Sequence, residues 1–311
     1  MSTTDLAVAR PTSTPTTARK RRINGGRIGA IVIMAILLFV TIFPFYWVVR
    51  TALSSNNQLA PASDSITPVG LTLGGFKRAL GLQTLEEAQA EGGSGAAVNF
   101  MTSFRNSIIY ATLITVGQVM FSTMAAYAFA RMRFKGRTLL FSIILASLMV
   151  PGIFTTLPNF VLIKDLGWLD TFWGMAAPGF LMSPFAIFFM RQFFLGISKE
   201  VEEAARIDGA GNLRVFWRVI LPISAAPVST LALLTFISTW NDYFWPFLVG
   251  KGEDTRVLTV ALGVFKAQTP GGSPDWSGLM AATVVSVAPM LLLLMLFGKR
   301  IVNSVQFSGI K

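Results

Sequence analysis

The chain has 311 residues, of which 53% are hydrophobic and only 13% charged, and its mean hydropathy is +0.60. Soluble domains carry roughly 25% charged residues, so this composition excludes an ordinary globular core and points to a membrane protein. The formal net charge of +11 does not indicate nucleic acid, because Lys and Arg are scattered between apolar runs. Without Cys or His, disulfides, the usual His/Cys zinc sites and Ser-His or Cys-His nucleophile pairs are excluded as well.

Residues 1–27 are rich in Thr, Ser and Pro and contain Arg19-Lys20-Arg21-Arg22. They are expected to form a disordered basic tail beside the membrane. The run Ile28–Val49 is uncharged. A spanning helix needs about 20 such residues, and the run exceeds the ~7–15 apolar residues of a signal peptide, so a retained helix is expected. Five more uncharged runs follow: Asn106–Ala130, Thr138–Ile163, Thr171–Met190, Val219–Asn241 (continuing past Asp242 to Val249) and Trp276–Gly298. The expectation is an all-α polytopic fold, with residues 28–311 forming a six-helix transmembrane domain.

Charge placement sets the orientation. With the N-terminus inside, the inner segments hold eighteen Lys and Arg and the outer segments eight, which accounts for all 26. Both termini are therefore expected in the cytoplasm. The longest outer segment, residues 51–103, is rich in Pro and Gly and includes Gly92-Gly93-Ser94-Gly95. It reads mainly as a connector, with Phe76–Leu80 as a short surface helix.

Polar groups within spans usually face a bundle interior. Asn106, Gln118, Asn159, Asn241 and Asp242 are such groups. The stretch from Trp240 through Asn241, Asp242 and Tyr243 to Pro246 sets aromatic faces beside hydrogen-bonding side chains. Two readings stand open: the wall of a sugar pathway, to which Asn159 would also belong, or an interfacial aromatic belt. A lone carboxylate such as Asp242 would also serve proton coupling.

The charge-dense stretch from Glu200 to Pro222 lies between the fourth and fifth runs, on the inner side by the charge count. Ser198 can cap a helix beginning at Lys199, with Glu200, Glu202 and Glu203 near its positive end. Gly209 and Gly211 break that helix. Asn212 can cap a second one, whose Leu213, Phe216, Trp217 and Ile220 recur at helical spacing. This predicts two short helices with a sharp turn, either lying on lipid or inserted in a groove of a soluble partner. The acidic first helix favours the partner.

Glu203-Ala204-Ala205, then Asp208-Gly209-Ala210, then Val219-Ile220-Leu221-Pro222 resembles the EAA loop of ABC-importer permeases, with Val219 in place of the usual Ile. The resemblance runs from about Ile28 to Lys311 and is closest to the carbohydrate-importer branch of maltose-permease G type. It includes Asn106-Ser107-Ile108-Ile109, Ala125 to Arg131, Trp240-Asn241-Asp242 and the Gly309-Ile310-Lys311 end.

That resemblance implies a type I permease fold in the bacterial plasma membrane. It also implies a second permease subunit as a heterodimer partner, two ABC ATPase subunits and an extracytoplasmic solute-binding protein. Residues 197–222 would be the coupling loop. Its ATPase-docking residues would be Glu203, Ala204, Ala205, Asp208, Gly209, Ala210, Phe216, Leu221 and Pro222, with Glu203 reaching an ATPase arginine and Gly209 allowing the bend. The chain has no Gly-x4-Gly-Lys-Ser/Thr, since Gly250-Lys251 and Gly298-Lys299 lack its other members, so no cofactor is expected here and ATP would bind the partner subunits. A sugar importer leads. A permease for glycerol phosphate or another polyol is the alternative, followed by an ion-coupled transporter working alone.

Overall fold

A computed structural model describes residues 25–93, 99–267 and 274–306, and no strand occurs among them. The basic cluster at 19–22, part of the Gly-rich patch and the 309–311 end lie outside the described residues. The chain divides into two units, Met1–Tyr46 and Trp47–Lys311. In the first, helix α1 (Gly25–Ala52) begins, and every side chain from Ile28 to Tyr46 is exposed. Such a surface suits lipid, not water.

Beyond α1, the principal helices are α2 (Gly74–Ala79), α3 (Phe100–Arg131), α4 (Arg137–Ser147), α5 (Gly152–Asp165), α6 (Phe172–Phe180) and α7 (Pro184–Gly196). They are followed by α8 (Lys199–Ile207), α9 (Asn212–Ile223), α10 (Ala225–Trp240), α11 (Phe244–Val249), α12 (Leu258–Ala267) and α13 (Trp276–Gln306). Three described helices, α1, α3 and α13, are long and apolar enough to cross a membrane unaided. The pairs α4/α5, α6/α7 and α9/α10 reach that length only together, bent by 97°, 42° and 81°, which brings the count to six.

The bend between α6 and α7 has a specific cause. Pro184 cannot donate a helical hydrogen bond and disfavours helical backbone before it. The bond from Ser183 N–H to Gly179 C=O, which a continuous helix would make, is absent. Ser122 Oγ of α3 accepts the Ser183 N–H at 3.0 Å, and Gln118 Nε2 donates to the Gly179 carbonyl at 3.2 Å. Two side chains of α3 thus satisfy both halves of one broken bond, as apolar surroundings require. Gly117 allows the approach, since a Cβ there would stand 2.4 Å from the Phe180 ring.

Residues 53–93, expected outside, are packed on the body of the protein and do more than connect α1 to α3. Helix α2 packs on the start of α13, where Gly75 lies so near that a Cβ would meet the Ser277 carbonyl at 2.7 Å. Arg78 makes a bidentate pair with Asp275, at 2.8 and 3.2 Å, and reaches Glu91 at 2.9 Å. Arg78 and Asp275 are both buried. The segment is held by charge pairs and backbone fit, and neither leaves a periodic apolar pattern in the sequence.

Candidate functional site

Two sites emerge, one among the spans and one on the surface between α7 and α10. The first is a partly open cavity of about 590 Å³ bordered by α3, the α6/α7 break, α10 and the start of α11. From α3 it receives Tyr110, Ile114 and Gln118. The break contributes Gly179 and Ser183, the same residues whose backbone is freed there. Thr235, Ser238 and Thr239 come from one face of α10, three and four residues apart. Asp242 and Trp245 close one end. The Tyr110 hydroxyl donates to Asp242 Oδ2 at 3.1 Å, and Trp245 Nε1 donates to the Met175 carbonyl at 3.0 Å. Among the described residues the lining thus offers hydroxyls, one amide, one carboxylate and aromatic faces beside apolar Ile114, Met175, Leu231 and Leu234, and no Lys or Arg. A neutral, hydroxyl-rich solute matches these groups: oxygen acceptors take its O–H donors, and ring faces cover its C–H surface.

The sequence-based pathway residues separate here. Asp242 lines the cavity, and the others do not. Trp240 is buried elsewhere, stacked on Phe236 at 5.8 Å, with its Nε1 donating to the Ser286 carbonyl at 3.2 Å. Asn241 returns its amide to the Ile237 carbonyl at 2.8 Å and faces outward. Tyr243 stacks on Phe247 at 5.3 Å and lies against Gly263. Asn159 is half-buried on α5, away from the cavity. Consecutive residues at the end of a helix point in different directions, so only part of the Trp240–Tyr243 run can share one wall. Trp240→Phe, which keeps the stacked ring and removes the donor, is expected to cost about 1 kcal/mol in thermal stability and to leave transport unchanged. Unfolding and uptake measured on one preparation check both.

Sequence reasoning had singled out Gln118 among the polar groups of the spans and Trp245 within the Trp240–Pro246 stretch, and it missed Tyr110, Ser183, Thr235, Ser238 and Thr239. The hydroxyls of α10 carried a signal, since 235, 238 and 239 share a helical face. Tyr110 and Ser183 carried none, because tertiary packing alone brings them there.

The second site is a knob built from α8 and α9. Ser198 Oγ accepts the Glu200 N–H at 3.3 Å, as its capping position requires. At the other end, Gly209 adopts φ +81°. Its N–H reaches the Arg206 carbonyl at 3.0 Å, and the Ala210 N–H reaches the Ala205 carbonyl at 3.0 Å. This is a Schellman turn, and its left-handed residue favours Gly. Gly211, not Asn212, occupies the cap position of the second helix.

The knob has two faces. Inward, Val215, Phe216 and Ile220 are buried against α3 and α7, with Ala205, Ala210 and Leu221 at the margin. Outward lie Glu203, Ala204, Asp208 and Gly209, with Pro222 further along the chain. Ile207 is 86% exposed, Leu213 68% and Trp217 46%, so this outer face is apolar as well as polar. Phe216 is therefore a core residue: 2% exposed and packed on Tyr127 at 5.3 Å, it is not available to a partner. Leu213 and Trp217, assigned to the same face as Phe216 by spacing, are exposed, with the Trp217 ring edge-on to Phe216 at 5.2 Å.

Apolar helices bent around a cavity of mixed polar and apolar lining, with a two-faced knob between two of them, define an all-α multi-pass membrane permease. Residues 118–306 match the family described as "Binding-protein-dependent transport system inner membrane component". The sn-glycerol-3-phosphate transport system permease protein UgpE of Yersinia pestis is 32% identical over 85% of this chain and 90% of its own length. The trehalose/maltose transport system permease protein MalG of Thermococcus litoralis is 31% identical over 90% of this chain and 96% of its own. The arabinooligosaccharides transport system permease protein AraQ of Halalkalibacterium halodurans is 29% identical over 89% and 94%. Among solved structures, a bacterial ABC transporter involved in import of the acidic polysaccharide alginate superposes with a TM-score of 0.75 at 28% identity, covering 92% of this chain and 99% of that one. The chain belongs to this family, the membrane permeases of ABC import systems.

Proposed function

We propose that this chain is the permease subunit of an ATP-driven, binding-protein-dependent importer of neutral sugars or polyols, and that its cavity is part of the solute path. The observation that carries the reading is the cavity lining, which has hydroxyls, an amide, a carboxylate and ring faces but no cation. Relatives named for trehalose and maltose and for arabinooligosaccharides agree with it. The relative named for sn-glycerol-3-phosphate and the structure tied to alginate favour a second, anionic reading. An anion brought beside Asp242 would be repelled with no cation of this chain in the lining to offset it, so the neutral class leads.

The knob is the dock for an ABC ATPase. Its outer face joins apolar side chains to the Glu203 carboxylate, the chemistry of a helix seated in a groove. ATP would be hydrolysed on two such subunits, with a second permease and an extracytoplasmic binding protein completing the assembly. The excess of Lys and Arg on the inner segments supports both termini and the knob in the cytoplasm of a bacterial cell.

The test is reconstitution of the permease pair with and without the ATPases, offering maltose, an arabino-oligosaccharide, glycerol 3-phosphate and an alginate oligomer in turn, each with its binding protein. ATP-dependent uptake of the neutral sugars alone is the expected result. Uptake of only the anionic solutes would overturn the substrate class. Uptake without the ATPases would overturn the importer reading in favour of an ion-coupled transporter.

A further inference from the structure

We propose that Arg131 and Glu202 form the link through which the cytoplasmic knob moves the cavity wall, which makes Arg131 a positioning residue for transport. This rests on the reading of the knob as the ATPase dock. Glu202 stands beside Glu203 in α8 but is buried where Glu203 is exposed. Its Oε1 lies 2.9 Å from Arg131 Nε, and the two side chains are 6% and 5% exposed. Tyr127, one turn earlier in α3, donates to Glu202 Oε2 at 3.5 Å. The same Arg131 guanidinium donates to the Phe194 and Ile197 carbonyls at the end of α7. One side chain therefore joins three elements: the cavity helix α3, the span α7 and the knob.

Two features assign this link a role beyond stapling. A buried ion pair stabilises a fold no better than apolar packing of the same volume, so a charged group beneath a solvent-facing helix is poorly explained by stability alone. The mechanical paths out of the knob also differ. Along the chain it leads to α10 through an 81° break at Ser224, a joint that can absorb movement. Through Arg131 it leads to α3, a single 32-residue helix without proline. Further along α3, Tyr110, Ile114 and Gln118 line the cavity. Displacement of the knob is passed along α3 to these residues as one rod, and the α9/α10 joint follows.

The natural chain has no Cys, so introduced pairs report defined distances by spin labelling in the assembled complex. One pair, Arg133→Cys with Lys199→Cys, flanks the link at exposed positions. A second pair, Met101→Cys with Leu71→Cys, reports the outer end of α3 against the outer segment, both positions being exposed. In the otherwise wild-type complex, ATP is expected to change the outer distance and to leave the inner one constant. Glu202→Ala is expected to retain ATP hydrolysis and lose the outer change, and Glu202→Gln, which keeps an acceptor for Arg131, is expected to restore it. An outer change that survives Glu202→Ala overturns the proposal, and so does an inner distance that varies with ATP in the otherwise wild-type complex. That second criterion decides the matter even if Glu202→Ala does not assemble. No outer change in any complex would instead count against the ATP-driven reading beneath it.

Discussion

A permease carrying Glu203→Ala and Ile207→Asp is expected to fold, reach the membrane and fail to retain the ATPase subunits. Ile207 is 86% exposed at the C-terminal end of α8, so no described residue covers it. Burying such a side chain on a partner contributes about 1.5–3 kcal/mol. A charge-assisted hydrogen bond accepted by the Glu203 carboxylate adds roughly 1.5–3 kcal/mol. At 1.4 kcal/mol per tenfold, the pair together weakens docking by about a hundredfold or more. Co-purification and the dissociation constant of the ATPase measure this directly. Phe216→Ala is the contrasting variant. It removes a ring packed on Tyr127 and Phe194's neighbourhood, so a loss of about 3–5 kcal/mol in permease stability is expected. If Glu203→Ala/Ile207→Asp retains the ATPases with native affinity, the outer face of the knob is not the dock.

The contrast between Ile207 and Phe216 also shows what the sequence carries and what it leaves out. Helical spacing identified both short helices and the turn between them, because Gly209 and Ser198 act through local backbone chemistry that the structure repeats. Spacing could not say which apolar residues face out. Phe216 and Ile220 are four apart and buried, while Leu213 and Trp217 are four apart and exposed. The two stripes are equivalent in periodicity, and an exposed apolar stripe reads the same as core. The six apolar runs were equally plain, since hydropathy sums over a window. Their bends were not, because a window is blind to where the helix breaks. The break at Ser183 needs Pro184 from its own chain segment and Gln118 with Ser122 from α3, about sixty residues away. Of the cavity, Asp242 and the α10 hydroxyls could be read in advance. Tyr110 could not, because its partner Asp242 is 132 residues distant.

Asp242 is where the two transport readings make opposite predictions. Its carboxylate accepts from the Tyr110 hydroxyl, and Thr259 Oγ1 donates to its main-chain carbonyl at 2.7 Å, which fixes the residue at the corner between α10 and α11. If the carboxylate serves as an acceptor for solute hydroxyls, what matters is an oxygen in that position. Asp242→Ala then removes a charge-assisted bond of about 1.5–3 kcal/mol, and uptake of a neutral sugar is expected to fall by roughly tenfold to a hundredfold. Asp242→Asn keeps the oxygen and the shape, so more of the uptake is expected to remain than in the Ala variant, at a rate about fivefold below wild type for a neutral bond weaker by about 1 kcal/mol. The Asn variant also removes the cavity's one acid, so it is expected to admit a small anion such as glycerol 3-phosphate that the parent rejects. A proton-coupled transporter behaves otherwise. There the titrating group itself is indispensable, and Ala and Asn are equally inactive in driven uptake. Initial rates for the three forms, at saturating and at low sugar, separate the cases. Equal loss in both variants, with ATPase docking intact, would replace the binding role of Asp242 with a titrating one.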